Sequence, residues 1–339
     1  MIYPHFLKEN AVVGISAPSA GVGHKIESFD NSLTVLRSQG WKVWETEHVR
    51  VDDIRGGDAR QRARELMGLF LHDSVDAVFA AAGGDFLCEI LPYIDWELIA
   101  KNPKWLMGAS DPTGILYPLT TICDMATLYG SNGGSFDSTV LTEDGSTCLP
   151  EYLGNMLRFL KGDLPVQVSS EKYLGADIFE LGDGPLEYTN PTVYKASCPS
   201  LHERGRCIGG CIDVLKDLIG TRFDATADFI RRYEHDGFIW YFDNFALSSA
   251  ALYRTFLQMR YAGWITPGTT RCILVGRTMF QREESGMTYD DAVRTAFPDI
   301  PVVWDMDIGH TVPHFSMING AMLDADWDGQ TARLAFELS

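Results

Sequence analysis

Lys104-Trp105-Leu106-Met107-Gly108-Ala109-Ser110-Asp111-Pro112-Thr113-Gly114-Ile115-Leu116-Tyr117 is the stretch on which the reading of this chain turns. Its first half is an apolar run of strand length that stops at Gly108. Pro112 then suits the first turn of a helix, where a missing backbone N–H costs nothing, and the apolar residues Ile115 to Ile122 continue it. Ser110 is thereby caught between a strand end and a helix start. Two roles fit a serine so placed: a cap for the helix, which serine commonly provides, or a nucleophile lifted clear of a sheet with helix N–H groups aimed at its target.

Working outward, the flanking segments alternate between strand and helix. Apolar runs at 11–18, 41–47 and 75–82 predict strands, the last closed by Gly83-Gly84-Asp85, while amphipathic patterns at 26–39 and 58–72 predict helices. That alternation predicts an α/β fold with a doubly wound parallel sheet, in which Ser110 ends the fourth strand, where ligands bind in such sheets. Beyond it the pattern predicts a strand at 127–132 and a helix at 151–161. From Gly162 to Arg206 it dissolves into Gly, Pro, Ser and Thr, with short strands at 165–168 and 192–196. A Gly-Gly turn then enters a helix over 207–218. Strands at 237–242, 272–276 and 300–304, helices at 247–262 and 289–296, and a closing hairpin with its turn at 326–329 complete the expectation. The resulting division is an N-terminal nucleophile domain at 1–165, a connecting region and lid at 166–206, and a smaller C-terminal α/β domain at 207–339.

The chain has 339 residues, 45% hydrophobic and 22% charged, which is the balance of a globular protein able to bury one large or two ordinary cores. A net charge of −18 repels a phosphate backbone or an anionic membrane surface, so neither nucleic acid nor a membrane is expected as a partner. No basic-then-apolar leader opens the chain and no apolar run has bilayer length, so a cytoplasmic location is expected. Seven cysteines without a CxxC pair argue against a disulfide framework and against zinc.

A serine nucleophile needs a base, and the base an orienting acid. Among eight histidines, His310 lies in Asp307-Ile308-Gly309-His310-Thr311, a turn following closely on an apolar strand; a surface-loop histidine is the plainer alternative, and His314 is the near rival. The other histidines read as surface residues. Asp243 closes the apolar run Ile239-Trp240-Tyr241-Phe242, either as a loop starter or as a placed carboxylate. Backbone donors for an oxyanion are sought at Gly83-Gly84-Asp85, where glycine permits close approach, and at Asp111, directly after the serine; a mere tight turn fits the glycines equally. No GxxxxGK[ST] or GxGxxG is present, which sets aside a phosphate loop.

Taken together, Ala17-Pro18-Ser19, Gly83-Gly84, Leu91-Pro92-Tyr93-Ile94-Asp95, Asn102-Pro103-Lys104, Gly108-Ala109-Ser110-Asp111, Gly209-Gly210, Leu218-Ile219-Gly220-Thr221 and Gly309-His310-Thr311 resemble, over nearly the whole chain, the LD-carboxypeptidase and microcin C immunity family of serine peptidases. The resemblance implies a nucleophile domain followed by one carrying acid and histidine, with catalysis in the cleft between them. It also implies cofactor-free and metal-free hydrolysis of an amide next to a carboxylate, and commonly a homodimer. Ser110, Asp243 and His310 become the expected triad, with Gly84 and Asp111 as oxyanion donors. The implied substrates are a small peptide from cell-wall fragments or a peptidyl or aminoacyl nucleotide. The long 135–206 segment is similar to the immunity branch, with Tyr173 the aromatic to stack on a base or, alternatively, a core residue. Three departures stand out: Asp243 where the family has glutamate, Cys211 where it has Gly-Gly-Asn, and Tyr129-Gly130-Ser131-Asn132 in place of a His-Gly-Pro. Two rivals remain. A binding protein that has lost turnover would explain the departures, and an amidotransferase-like enzyme would want cysteine at the turn.

Overall fold

The computed structural model describes residues 1–175 and 184–339 and divides into two units, Met1–Leu164 and Pro165–Ser339. In unit 1 the strands β1 (Val12–Ser16), β2 (Lys42–Glu45), β3 (Ala77–Ala80), β4 (Trp105–Gly108) and β5 (Thr127–Tyr129) run parallel in the order β2-β1-β3-β4-β5. Helices α1 (Ile26–Ser38), α2 (Ala59–Leu71), α3 (Trp96–Lys101) and α4 (Thr113–Cys123) make the crossovers, and α5 (Glu151–Lys161) follows a small hairpin of β6 (Val140–Leu141) and β7 (Thr147–Cys148). The strand order reverses between β1 and β3, so the loops leaving those two strands part at the switch point, where α/β sheets bind ligands.

Local chemistry accounts for these elements. β1, β3 and β4 are buried at every position, as strands covered on both faces must be. α2 starts in a capping box, with the Asp58 carboxylate accepting from the Arg60 and Gln61 N–H groups, and buries Ala63, Leu66, Leu69 and Phe70, the side expected from its pattern. Arg62 on that helix is buried as well, which its charge did not announce. The short α3 was not foreseen; Asp95 caps it by accepting from Leu98 N–H.

Unit 2 is built on one mixed sheet in the order β11-β15-β14-β13-β12-β17-β18-β8. Its strands are β8 (Gln167–Val168), β11 (Lys195–Ala196), β12 (Leu201–Cys211), β13 (Phe238–Asp243), β14 (Thr270–Gly276), β15 (Val302–Met306), β17 (Met322–Trp327) and β18 (Ala332–Glu337); β9 (Lys172–Tyr173) pairs with β10 (Asn190–Pro191), and β16 (Met317–Asn319) precedes β17. The four strands from β12 to β15 are parallel, carry α6 (Ile212–Leu218), α7 (Thr226–Tyr233), α8 (Ser249–Tyr261) and α9 (Tyr289–Ala296) between them, and hold the core. β13 is buried throughout, and each large apolar side chain of Phe238-Ile239-Trp240-Tyr241-Phe242 contributes roughly 1.5–3 kcal/mol by leaving water. β17 and β18 form the expected antiparallel hairpin.

Three local readings change. The Gly-Gly turn expected from Cys207 is instead the end of an eleven-residue strand, and the helix begins only at Ile212. Gly209 and Gly210 look like a turn by composition, but the strand next to them sets the conformation: Gly209 packs so closely on Tyr241 that a Cβ would collide with its carbonyl. The weakly patterned segment 166–206 contributes β8, β11 and the start of β12 to this sheet, within a unit that runs from Pro165 to Ser339. The amphipathic α7, with Phe229 and Ile230 buried, was not expected at all. Among the described residues no helix is long and apolar enough to cross a membrane.

Candidate active site

In unit 1, β4 ends at Gly108 and α4 starts at Thr113, and between them Ser110 adopts φ 67°. A non-glycine residue in the left-handed region costs roughly 1–3 kcal/mol and persists only where its surroundings hold it. Those surroundings are specific. Ser110 N–H donates to the Tyr129 hydroxyl at 3.2 Å, the Asn132 side-chain carbonyl accepts from Ala109 N–H at 3.0 Å, its amide donates back to the Ala109 carbonyl at 3.4 Å, and Thr113 N–H closes the turn onto the Ser110 carbonyl at 2.9 Å. Tyr129 and Asn132 are the two ends of one departure from the family pattern, Tyr129-Gly130-Ser131-Asn132, and they brace the serine turn. Sequence reading marked them as unusual and missed their task.

The loop after β3 passes beside this serine. A Cβ built on Gly83 would lie 3.5 Å from Ser110 Oγ and 3.3 Å from Ser110 Cβ, so only glycine leaves that space to an incoming group. Gly84 is pressed against Ser19 and Ala20 of the loop after β1, and Asp85 is exposed. Asp111 is buried, and its carboxylate accepts from Leu87 N–H at 2.9 Å, tying the glycine loop to the serine turn. Burial raises the Asp111 pKa, and the Asp85 charge adds to it, while the Leu87 N–H pulls the other way. Behind these loops the Arg62 guanidinium donates to the carbonyls of Pro18 (2.8 Å), Ser19 (3.2 Å) and Phe86 (3.1 Å) and pairs with Glu89 at 2.6 Å. A buried arginine with that many acceptors is a fastening for both loops; nothing in the spacing of α2 could have distinguished it from a solvated residue.

In unit 2, Asp243 at the end of β13 and His310 in the loop after β15 are in direct contact. The carboxylate oxygens sit 2.8 and 3.0 Å from His310 Nδ1, and one of them accepts the His310 backbone N–H at 3.3 Å. With Nδ1–H donated to Asp243, Nε2 is the basic nitrogen. Burial alone would lower the His310 pKa, but the Asp243 charge and hydrogen bond, with a further contribution from Asp213, outweigh it and raise the value. Gly309, at φ 94°, makes this contact possible: a Cβ there would land inside the Asp243 carboxylate. His314, the rival, is buried with its Nδ1 3.4 Å from the Phe315 carbonyl, and burial drives its pKa down to about 4.

Two further residues enter this cluster without warning from the sequence. The Phe245 ring lies against the His310 imidazole, centroids 4.5 Å apart, and Asp213 accepts from the N–H groups of Phe245 and Ala246, each at 3.0 Å. Cys211 is buried with its Sγ 3.8 Å from the Asp213 carboxylate, and burial raises its thiol pKa well above the usual range. Tyr173, expected to stack on a base, has the Arg277 guanidinium over its ring at 4.0 Å, and Arg277 is ion-paired with buried Asp307. Among the described residues, one group of metal-type ligands occurs, Glu47, His48 and Glu65, with ligand atoms within 4.8 Å of one another. His48, expected at the surface, is half-buried there and ion-paired with Glu65.

Thus unit 1 sets a serine on a strained strand-to-helix turn beside a glycine loop, and unit 2 sets an imidazole on a carboxylate. Residues 13–130 match the LD-carboxypeptidase N-terminal domain and residues 204–324 the LD-carboxypeptidase C-terminal domain, so the chain belongs to the LD-carboxypeptidase family, whose chemistry is of the serine-peptidase carboxypeptidase type. The microcin C7 self-immunity protein MccF of Escherichia coli is 28% identical over 319 residues, covering 89% of this chain and 86% of that one. A structure of microcin C7 self-immunity protein MccF in complex with aspartyl sulfamoyl adenosine superposes with TM-score 0.82 at 20% identity, covering 100% of this chain and 99% of that one. The muramoyltetrapeptide carboxypeptidase of Oxalobacter formigenes does so with TM-score 0.73 at 17% identity, over 96% of this chain and 98% of that one.

Proposed function

We propose that the protein is a serine hydrolase of the microcin C immunity type, cleaving an amide or acyl bond in a peptidyl or aminoacyl nucleotide. The observation that carries the reading is the Asp243–His310 pair, which fixes the imidazole tautomer with Nε2 as base. In this reading Ser110 is the nucleophile. His310 takes its proton as the hydroxyl oxygen attacks the carbonyl carbon, then returns that proton to the leaving nitrogen or oxygen as the tetrahedral intermediate collapses. Water reverses the sequence and frees the serine. Asp243 orients the ring and stabilises its charged form, and N–H groups of Gly84 and Asp111 receive the oxyanion.

Aspartate in place of glutamate is consistent with this role, because Gly309 lets the His310 loop approach within contact of the shorter side chain. The nucleotide substrate is favoured by the similarity to MccF, one of whose structures holds aspartyl sulfamoyl adenosine. Tyr173 is the aromatic we assign to base stacking. The muramoyltetrapeptide carboxypeptidase likeness favours a second reading, cleavage of cell-wall muropeptides before a terminal D-residue.

A fluorophosphonate probe is expected to label the protein at Ser110 and not to label Ser110→Ala; undiminished labelling of the variant would refute the nucleophile. Incubation with an aminoacyl sulfamoyl adenylate and, separately, with a muropeptide, followed by mass spectrometry, decides the substrate. Product from the muropeptide alone would overturn the immunity-type reading, and binding of either without turnover by a non-labelling wild type would identify a non-catalytic homologue.

A further inference from the structure

The reaction scheme gives His310 one carboxylate, Asp243, yet a second carboxylate is built into its surroundings. Asp213 sits in the first turn of α6, two residues beyond the end of β12, and is largely buried, with two backbone N–H groups and the Cys211 thiol against its carboxylate. Its two oxygens are divided between two donors: Oδ2 accepts from Phe245 N–H and Oδ1 from Ala246 N–H, both at 3.0 Å. These N–H groups belong to the turn that leaves β13 directly after Asp243, so the carboxylate holds the chain on the far side of the acid.

That turn is fixed on its other side too. The buried Asn244 side chain accepts from Leu247 N–H at 3.2 Å and donates to the Leu247 carbonyl at 3.2 Å, while the carbonyls of Asn244 and Phe245 accept from Met279 and Phe280 N–H. The consequence is the placing of two rings. Phe245 lies on the His310 imidazole at 4.5 Å, tilted by 40°, and Phe280 meets Phe245 edge-on at 5.1 Å. An aromatic wall thus covers one side of the base, held in position by a carboxylate on another element.

We propose that Asp213 is a positioning residue for His310, seating Phe245 against the imidazole through the 245–246 turn and lending a second negative charge to its protonated form. The inference rests on the reading of His310 as the catalytic base. A phenylalanine ring restricts the rotation of the imidazole and keeps water from the Asp243–His310 contact, where a lower local dielectric strengthens the pair. Such support matters more for this chain than for one with the longer acid, since the shorter side chain leaves less freedom to follow a moving ring.

The titratable groups facing this cluster are Asp213 on α6, Cys211 at the end of β12, Asp243 at the end of β13, His310 and His314 in the loop after β15, and Tyr289 on α9. Cys211 and Tyr289 have raised pKa values from burial and stay neutral near pH 7, and His314 stays neutral above its value of about 4. The carboxylates that act on His310 are therefore Asp243 and Asp213, the latter with its pKa raised by burial against the opposing pull of the Phe245 and Ala246 N–H groups, and replacing Asp213 removes one of the two.

Asp213→Asn keeps the shape and an acceptor for the turn while removing the charge, and Phe245→Leu removes the ring while keeping the charge. Long-range nitrogen NMR of histidine-labelled protein, with His310 assigned through a His310→Gln control, follows the imidazole itself and needs no turnover. The expected result is that Asp213→Asn lowers the His310 titration by about half a unit or more, the size of effect expected of a partly buried charge. The rising limb of fluorophosphonate labelling against pH should move with it. Phe245→Leu should leave the titration nearly in place and slow labelling several-fold, with Phe245→Tyr restoring it. An unmoved His310 titration in folded Asp213→Asn, or full labelling in Phe245→Leu, overturns the proposal. If the wild type does not label at all, it is the hydrolase reading that falls, and the titration still decides whether Asp213 serves His310.

Discussion

At the scale of single residues, the decisive atom is one that is missing. Gly309 has no Cβ, and the space a Cβ would fill is taken by the Asp243 carboxylate that holds His310. Gly309→Ala combines this collision with an unfavourable φ, and is expected to cost about 1–3 kcal/mol from the backbone alone. It should also separate acid from imidazole, so labelling of Ser110 should fall at least tenfold in protein that is still folded by circular dichroism. Labelling at the wild-type rate would mean that the pair tolerates being pushed apart. A pH dependence follows from the same pair. His310 must be neutral to accept a proton, and its pKa is raised, so labelling should increase with pH through an apparent value above the ordinary imidazole figure of about 6.5. A midpoint below that figure would contradict the Asp243 contact.

At the scale of an element, the strand-to-helix junction of β4 and α4 works because neighbouring β5 and the residues after it reach across to it. Tyr129, the last residue of β5, accepts the Ser110 N–H, and Asn132 grips Ala109 from both sides. Tyr129→Phe removes one hydrogen bond with a net worth of about 1 kcal/mol, which corresponds to roughly fivefold slower labelling if the serine turn loosens. Asn132→Ala removes two contacts and should slow it further. Rates unchanged in both variants would show that the turn is held by its own sequence and by Pro112. Burial explains why the strand was easy to read and its bracing was not. β4 announces itself as an apolar run, whereas a tyrosine hydroxyl nineteen positions away has no periodic signature.

For the molecule as a whole, the buried imidazoles set opposing trends of stability with pH. His314 stays neutral in the folded state down to about pH 4, while in the unfolded chain it takes up a proton below about 6.5. Folded protein therefore loses stability as pH falls through that window, by about 2 kcal/mol between pH 7 and pH 5 from this residue. His310 has the opposite sign. Its raised folded value means that its stabilising contribution is complete below the unfolded value and is lost as pH rises through the folded one. Urea unfolding of the wild type and His314→Gln at pH 7 and pH 5 should reveal a smaller pH effect in the variant. An identical pH effect in the two would show that His314 is not kept neutral by burial.

What could be read without coordinates was governed by periodicity. The parallel sheet, its longer crossover helices and the closing hairpin follow from apolar spacing, because burial on one or two faces of a strand or helix must recur at the period of the backbone, whereas the short α3 and α7 did not show in it. Ser110, Asp243 and His310 were legible as strand-end residues for the same reason, and the resemblance to known peptidases ordered them. The pairings between remote positions lay beyond that reach: Gly309 against Asp243, Tyr129 beneath Ser110, Arg62 under two loops, Asp213 holding Phe245 on His310. So did the placing of β8, β11 and the start of β12 in the second sheet, where short polar strands gain their conformation from partners that long apolar strands supply. Local sequence determines which backbone conformation each segment favours and which face it hides. Which side chains then meet depends on sheet register and loop packing, quantities set by the folded chain as a whole.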